Sequence, residues 1–172
     1  NDLSTSVELT EISVQKAENS NPVAREAIQT ASRGVQRLTA LLKDYRSFAR
    51  PQRLNLTTVN LDKIIEEVVF SVSRSYRAAG ILFDLDFKED CPLVAVDRAK
   101  MTQVLLNLFK NAFEAMPAGG LITSKAYPSD NGVTLEVGDT GIGIAEGVDV
   151  FQLFSTTKPD GSGLGLPIVE HI

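Results

Sequence analysis

The sequence has very few of the residues from which metal centres and covalent catalytic sites are usually built. Cys91 is the only cysteine and His171 the only histidine among the 172 residues. A disulfide framework or a thiolate metal site needs several cysteines, so one chain can form neither. A single histidine excludes His-rich metal sites and argues against a Ser-His-Asp triad. We therefore do not expect this chain to act through a disulfide framework, a metal site built from cysteines or histidines, or a catalytic triad.

Two further absences concern the surfaces that the chain would bind. No apolar run approaches the roughly 20 residues needed to span a bilayer, and the N-terminus lacks a signal-peptide core. The formal net charge is −5, and no dense run of lysine and arginine occurs. We therefore expect neither a nucleic acid nor direct membrane contact. With 43% hydrophobic and 23% charged residues, the composition suits a folded cytoplasmic chain, or the cytoplasmic part of a longer one.

The N-terminal third of the sequence predicts a helical hairpin. Asn19-Ser-Asn-Pro22 separates two apolar-periodic segments, and Pro22 suits the first turn of the second helix. That helix has a heptad seam, which ends at Pro51 and is formed by Ile28, Ala31, Val35, Leu38, Leu42 and Tyr45. One hairpin buries such a seam poorly, so residues 1–50 are expected to form half of a dimeric four-helix bundle. The alternative is a hairpin packed on its own globular domain.

The remainder of the chain predicts an α+β domain. Residues 51–59 form a linker with a short extended piece, and Asn60 is suited to cap the next helix. Alternating apolar residues from Ile81 to Phe87 predict a half-buried strand, and the runs flanking Asp130-Asn-Gly132 predict an antiparallel hairpin. We expect residues 60–172 to form a two-layer sandwich, with helices on one face of a largely antiparallel sheet.

Two asparagines lie four residues apart in a helix predicted from Asp97, its cap, to Met116. Asn107 and Asn111 share a face, with side chains roughly 5–6 Å apart. They lie off the predicted apolar stripe of Met101, Leu105, Leu108, Ala112 and Ala115. Asparagine is a mediocre helix former, and its carbonyl oxygen suits Mg²⁺, a hard ion that takes few protein ligands. Taken alone, the pair is more simply explained by exposure to solvent.

A first glycine cluster follows a predicted strand. Asp139 comes directly after the strand and precedes Gly141 and Gly143. A carboxylate only accepts hydrogen bonds, so it could bind the amino group of adenine and reject a keto group there. The glycines would let the backbone approach a flat ring closely. As an isolated string the pattern is weak, because many loops are rich in aspartate and glycine.

A second glycine cluster, Gly161-Ser-Gly-Leu-Gly165, opens the last helix. Backbone N–H groups and the dipole at a helix N-terminus suit phosphates. Between the clusters, Phe151 and Phe154 could anchor a mobile lid, and Lys158 could reach a terminal phosphate. A surface loop pinned by the two phenylalanines is the simpler interpretation of them alone. No G-x-x-x-x-G-K-[ST] motif occurs, so ATP would have to be held without a P-loop.

Taken in order, these elements resemble the ATP-binding domain of sensor histidine kinases, within the wider GHKL (Bergerat) group of nucleotide-binding folds. Asn107-Leu-Phe-Lys-Asn111-Ala112 is similar to the N box, and Asp139-Thr-Gly-Ile-Gly-Ile144 to the first glycine box. Phe151-Gln-Leu-Phe-Ser-Thr-Thr-Lys158 is similar to the F box and lid, and Gly161-Ser-Gly-Leu-Gly-Leu166 to the second glycine box. The N-terminal hairpin resembles the family's dimerisation hairpin.

The resemblance implies ATP and Mg²⁺ as cofactors and a response regulator as partner. Asn111 would bind the Mg²⁺ that bridges the phosphates with Asn107 assisting, and Asp139 would bind the adenine amino group. Asn107 and Lys158 would serve the phosphoryl transfer, and a lid from about Glu146 to Gly161 would order on binding. The implied cofactor-binding residues come from all four boxes: Asn107, Asn111, Asp139, Gly141, Gly143, Ile144, Phe154, Thr157, Lys158, Gly161, Gly163, Leu164 and Gly165.

The sequence departs from the family at both ends. No acceptor histidine lies on the first hairpin helix, and His171 follows the phosphate loop. We expect the acceptor just upstream of Asn1 and the family's final strands beyond Ile172. This piece alone would then bind Mg-ATP and dimerise without autophosphorylating, whereas the parent kinase would relay its phosphoryl group to a response regulator aspartate.

Three competing functions remain. A GHKL ATPase has a glutamate as general base where Asn107 stands, and an amide cannot accept that proton, so Asn107 favours transfer over hydrolysis. An anti-sigma-type serine kinase lacks the leading hairpin that residues 1–50 predict. A non-catalytic dimeric docking module is disfavoured by intact Asn111 and Asp139.

Overall fold

A computed structural model of the protein describes residues 22–49, 53–88, 90–130, 132–156, 158 and 161–172. The predicted first hairpin helix and Thr157 lie outside the described residues. The chain divides into a helical unit and a mixed α/β unit, and residues 53–156 and 163–172 belong to the mixed one. No helix in the described part of the chain is both long and apolar enough to cross a membrane.

The described elements are a mixture of helices and strands after one long N-terminal helix. In chain order they are α1 (Pro22–Ala49), β1 (Leu56–Val59), α2 (Leu61–Ala78), β2 (Ile81–Phe87), β3 (Val94–Asp97), α3 (Arg98–Ala115), β4 (Gly120–Ser129), β5 (Gly132–Asp139) and α4 (Gly165–His171). This is the mixed α+β architecture that the sequence predicts, and the fold class is confirmed.

Helix α1 carries the predicted seam and begins at Pro22, as expected. Its 28 residues span about 40 Å. Along the seam, Val35, Leu38, Leu42 and Tyr45 are each more than a third exposed. Within the described residues, α1 therefore presents an apolar stripe that its own unit leaves open.

The mixed unit contains two sheets. Strands β1 and β3 pair antiparallel from Leu56 opposite Asp97 to Val59 opposite Val94. The larger sheet has the order β2-β4-β5, with β4 and β5 forming the predicted antiparallel hairpin. Two of the three pairings among the described strands are antiparallel, as expected, whereas β2 and β4 run parallel. Parallel neighbours need a crossover, and the long segment from 88 to 119, which includes α3, supplies it.

The core lies between one face of the larger sheet and the two helices α2 and α3. Buried side chains from the helices meet buried side chains from the strands: Ile64, Ile65, Val68, Leu105, Phe109, Ala112, Ile81, Ile122 and Ala126. Phe109 packs edge-on against Phe83 with ring centroids 5.2 Å apart. Asn60 caps α2 as predicted, because its Oδ1 accepts from the Asp62 N–H at 2.8 Å. This packing fixes α3, the helix that carries both candidate asparagines.

Candidate functional site

Helix α3 is held at its N-terminus by one carboxylate. Oδ1 of Asp97 accepts from the backbone N–H of Lys100 at 3.1 Å, which is the predicted cap. Oδ2 of the same residue accepts from the backbone N–H of Asn55 at 2.9 Å. The Asn55 bond first, and the Lys100 bond second, hold the pKa of Asp97 below its ordinary value of 3.8. The backbone just before β1 is thus hydrogen-bonded to the residue that caps α3, the helix of the two asparagines.

The two asparagines of α3 face the first turn of α4. Nδ2 of Asn107 donates to the carbonyl oxygen of Gly165 at 3.3 Å. A Cβ atom placed on Gly165 would lie 3.7 Å from Nδ2 and 3.8 Å from Oδ1 of Asn111. Both asparagines are half-buried. Exposure to solvent therefore does not explain this pair, since their amides meet the glycine backbone at the start of α4.

The first glycine cluster is built around Asp139, the last residue of β5. Its side chain is exposed, and its Oδ1 accepts from the Gly141 N–H at 2.9 Å. Gly143 has a φ of +70°, a conformation that few L-residues adopt. The carboxylate thus stands at the rim of the sheet in an orientation fixed by its own loop.

Gly141 is required for a reason that the sequence did not reveal. A Cβ atom at this position would lie 2.7 Å from both the Cβ and the carbonyl oxygen of Ala115, and 2.8 Å from Oδ1 of Asp139. The next residue, Ile142, donates its N–H to the Ala115 carbonyl at 3.2 Å. The loop therefore touches the C-terminal end of α3, which joins it to the helix of the asparagines.

Large apolar side chains are exposed beside Asp139. Ile142 is 86% exposed and Ile144 is 69% exposed. Ile144 was predicted from its box, whereas Ile142 was not singled out, because nothing in the sequence showed that the core leaves it uncovered. Both side chains lie in the loop that follows Asp139, so a flat apolar ring bound at Asp139 would have them nearby.

The F box and the second glycine cluster meet directly. The N–H of Phe154 donates to the Gly163 carbonyl at 3.0 Å, and a Cβ atom on Gly163 would lie 2.4 Å from the Phe154 carbonyl carbon. Gly163 has a φ of +64° and Phe154 one of +63°, the latter unusual for an aromatic residue. Only a glycine fits this contact, which brings the two boxes together at the start of α4.

Three other predicted residues have different positions. Leu164 is 1% exposed, so its side chain belongs to the core and a ligand would meet its backbone instead. Lys158 and Gly161 are grouped with the helical unit, where the Gly161 N–H donates to the Lys158 carbonyl at 3.1 Å. Their part in a nucleotide site stays a prediction.

The described residues also contain no cluster of three or more His, Cys, Asp or Glu side chains suited to a metal.

Comparison with known proteins agrees with this geometry. Residues 96–172, which contain α3 and both glycine clusters, match the family described as histidine kinase-, DNA gyrase B-, and HSP90-like ATPase. The chain is 32% identical over 151 residues to the sensor histidine kinase ZraS of Escherichia coli K12, covering 87% of this chain and 32% of ZraS.

Solved structures of histidine kinases have the same fold. The catalytic domain of histidine kinase ThkA is 35% identical, with a TM-score of 0.61 over 66% of this chain and 76% of that one. ThkA has also been solved in complex with the response regulator protein TrrA, at 25% identity and a TM-score of 0.68 over 90% of this chain and 47% of that one. Full-length ShkA in complex with AMPPNP is 26% identical, with a TM-score of 0.74 over 99% of this chain and 40% of ShkA.

The fold, the boxes and these relatives define a GHKL-type ATP-binding domain. The chain belongs to the sensor histidine kinases. It spans about a third of the length of the curated relatives that it matches.

Proposed function

We propose that the mixed unit binds Mg-ATP between α3 and the two glycine clusters, and that the whole protein transfers the γ-phosphoryl group to a histidine. The observation that carries this proposal is the contact of Asn107 and Asn111 with Gly165. It brings two amide side chains of α3, one of them 58 residues before Gly165 in sequence, to a glycine-rich helix start. Amide oxygens, backbone N–H groups and a helix dipole together suit a metal-bound polyphosphate.

The adenine end of ATP would lie at Asp139. Since Oδ1 is already bonded to the Gly141 N–H, Oδ2 is the oxygen offered to the exocyclic amino group. The exposed side chains of Ile142 and Ile144 would cover the ring, and burying them offsets part of the cost of ordering the loop. A keto group in place of the amino group would put two acceptors together, so adenine is preferred over guanine.

The phosphate end would lie at the asparagines and the second glycine cluster. The donor set fits Mg²⁺, because Asn111 supplies a hard amide oxygen and the ion takes its other ligands from phosphates and water. Nδ2 of Asn107 is bonded to the Gly165 carbonyl, and its Oδ1 would assist Asn111 at the ion. Bound Mg²⁺ would neutralise charge on the phosphates. Gly163 and Gly165 would place backbone against them.

Transfer to a protein acceptor fits this site better than hydrolysis. An amide at position 107 cannot take a proton from water, so the site offers no general base at the position where a GHKL ATPase keeps one. Phosphoryl transfer needs mainly positioning and neutralisation of charge, which the groups described above provide. In the whole protein the acceptor would be a histidine outside this chain, and the product would go to a response regulator, as the ThkA–TrrA complex suggests for that kinase.

Dimerisation through residues 1–50 and a cytoplasmic location complete the proposal. Support for the dimer comes from the exposed stripe of α1, since a helix with four large apolar side chains left open is stabilised by a partner. Residues 51–59 would connect the helical hairpin to the ATP-binding domain from 60 to 172, with β1 of this connection paired to β3 of the mixed unit.

Nucleotide titration by calorimetry tests the binding site. We expect the chain to bind AMP-PNP with Mg²⁺ and to lose affinity when EDTA removes the ion. Asn111→Ala should bind more weakly and should lose less affinity on addition of EDTA, because the main protein ligand of the ion is gone. Asn55→Ala is the matched control, since it removes an exposed amide side chain and keeps the backbone N–H that Asp97 uses. No binding by the unaltered chain, or an Asn111→Ala variant whose affinity and response to EDTA both equal those of the unaltered chain, would refute the site.

A further inference from the structure

The β4–β5 hairpin ends in an unusual way beside Asp139. The last regular pair in its register is Ile122 with Asp139, so the next pair would be Leu121 with Thr140. The Thr140 N–H does donate to the Leu121 carbonyl, at 3.2 Å. The Leu121 N–H, however, donates to the hydroxyl Oγ1 of Thr140 at 3.1 Å. In a hydrogen-bonded antiparallel pair this N–H would go to the partner's carbonyl, so a side chain has taken the place of a backbone acceptor.

Thr140 is an exposed residue, and its hydroxyl has further contacts on its inner side. It also donates to Sδ of Met116 at 3.5 Å, and Met116 is a buried residue at the end of α3. On another side, a Cβ atom on Gly120 would lie only 2.7 Å from Oγ1. The hydroxyl thus accepts from one strand and donates to the helix end, and these contacts fix the Thr140 side chain.

This arrangement determines where the chain turns. Because the hydroxyl satisfies the Leu121 N–H, the Thr140 carbonyl is released from the ladder and the backbone can leave the sheet. The chain then bends at Gly141, whose N–H returns to Oδ1 of Asp139, and Ile142 bonds to the Ala115 carbonyl. Asp139 is therefore held on one side by the ladder and on the other by a loop that starts at a fixed point.

We propose that Thr140 is a positioning residue for adenine recognition. Its hydroxyl ends the ladder directly after Asp139 and so sets the place and direction of the carboxylate that binds the amino group. The inference rests on the proposed ATP site, and it deepens that proposal by naming a residue that determines base specificity without touching the base.

Two substitutions at position 140 separate the hydroxyl from the rest of the side chain. Thr140→Val has nearly the same shape and cannot accept from Leu121, whereas Thr140→Ser keeps the acceptor. We expect Thr140→Val to weaken ATP binding by about tenfold, the equivalent of one hydrogen bond, and Thr140→Ser to stay close to the unaltered chain. Binding of GTP, which carries a keto group where adenine has its amino group, should change little. The preference for ATP over GTP should therefore fall in the valine variant.

The comparison of nucleotides distinguishes positioning from a general structural role. A variant that is merely less well folded would lose ATP and GTP binding in equal proportion, and that result would overturn the inference. In an Asp139→Ala background, Thr140→Val should have no further effect on ATP affinity, because the group that it positions is absent. If the unaltered chain binds no ATP at all, the proposed function fails. If that chain does bind ATP and Thr140→Val keeps its base preference, only the role of Thr140 fails.

Hydrogen exchange of the unaltered chain gives an answer that does not depend on a folded variant. The Leu121 amide should exchange more slowly when ATP is bound, since occupation of Asp139 stabilises the turn that the hydroxyl creates. GTP should produce a much smaller effect. Equal protection by both nucleotides, or none by either in a chain that binds ATP, would contradict the proposed role.

Discussion

Replacing Gly141 with alanine should disturb the adenine end of the site through a steric clash. The new Cβ would lie 2.7 Å from the carbonyl oxygen of Ala115, a backbone atom of a packed helix that cannot move aside cheaply. Overpacking of this kind costs about 1–3 kcal/mol. Displacement of the loop also breaks the bond from the Ile142 N–H to Ala115, worth about 0.5–1.5 kcal/mol. The free energy of unfolding should therefore fall by roughly 2–4 kcal/mol.

Two other glycines provide matched controls for that substitution. Gly143 has a φ of +70°, and a Cβ atom there would have no neighbour within 4 Å, so Gly143→Ala should cost only the left-handed strain of about 1–2 kcal/mol. Gly34 lies inside α1 with nothing within 4 Å, so Gly34→Ala should stabilise the helix by about 0.5–1 kcal/mol. Urea unfolding followed by circular dichroism measures all three. A Gly141→Ala variant no less stable than Gly143→Ala would refute the steric argument.

Two further predictions concern α3 and α1. Asp97→Asn keeps a capping oxygen but cannot accept the Asn55 N–H as well, so it should be less stable than the unaltered chain near neutral pH. The folded-state pKa of Asp97 lies below its ordinary value of 3.8, so the stability that its carboxylate contributes is complete above that value and is lost as pH falls through the lower pKa. Thermal unfolding from pH 7 to 3 should therefore show the stabilities of the two proteins converging. A stability difference that stays constant with pH would exclude the carboxylate as its cause. Leu38→Glu, at an exposed position of the α1 stripe, should convert the proposed dimer to a monomer in sedimentation experiments, with Arg33→Glu as the control. An unaltered chain that is already monomeric would contradict the proposed dimer.

Patterns of neighbouring residues predicted the capped helices and the hairpin, but they could not predict contacts between residues distant in sequence. Asn60 and Asp97 cap the predicted helices because the bonds involved lie within three residues. The parallel pairing of β2 with β4 depends on a crossover that periodicity does not reveal. In α3 the predicted stripe omitted Phe109, the most deeply buried aromatic side chain among the described residues, which packs against Phe83 of β2.

The candidate site shows the same limit. Spacing placed Asn107 and Asn111 on one helix face, but only the structure shows that this face meets Gly165 and not solvent alone; their role as ligands stays a prediction. Likewise Gly141 was predicted to let the backbone approach a flat ring, whereas the structure shows that a side chain at this position would collide with Ala115 at the end of α3. Thr140 lies within the first glycine box but had no predicted role, since its acceptor function appears only when Leu121 is beside it.

Helix α3 contacts residues at both ends of the proposed site, and this determines how variants should differ. Asp97 bonds the start of α3 to Asn55, the asparagines in its middle meet α4, and Ala115 at its end accepts from Ile142 in the loop after Asp139. From Asn111 to Ala115 is four residues, about 6 Å along the axis, so one rigid helix would hold both the proposed phosphate end and the proposed adenine end. A change that shifts the whole helix, such as Asp97→Asn, should weaken ATP and GTP alike, because both share the phosphate end. A change at Thr140 moves only the adenine end and should alter the choice of base instead.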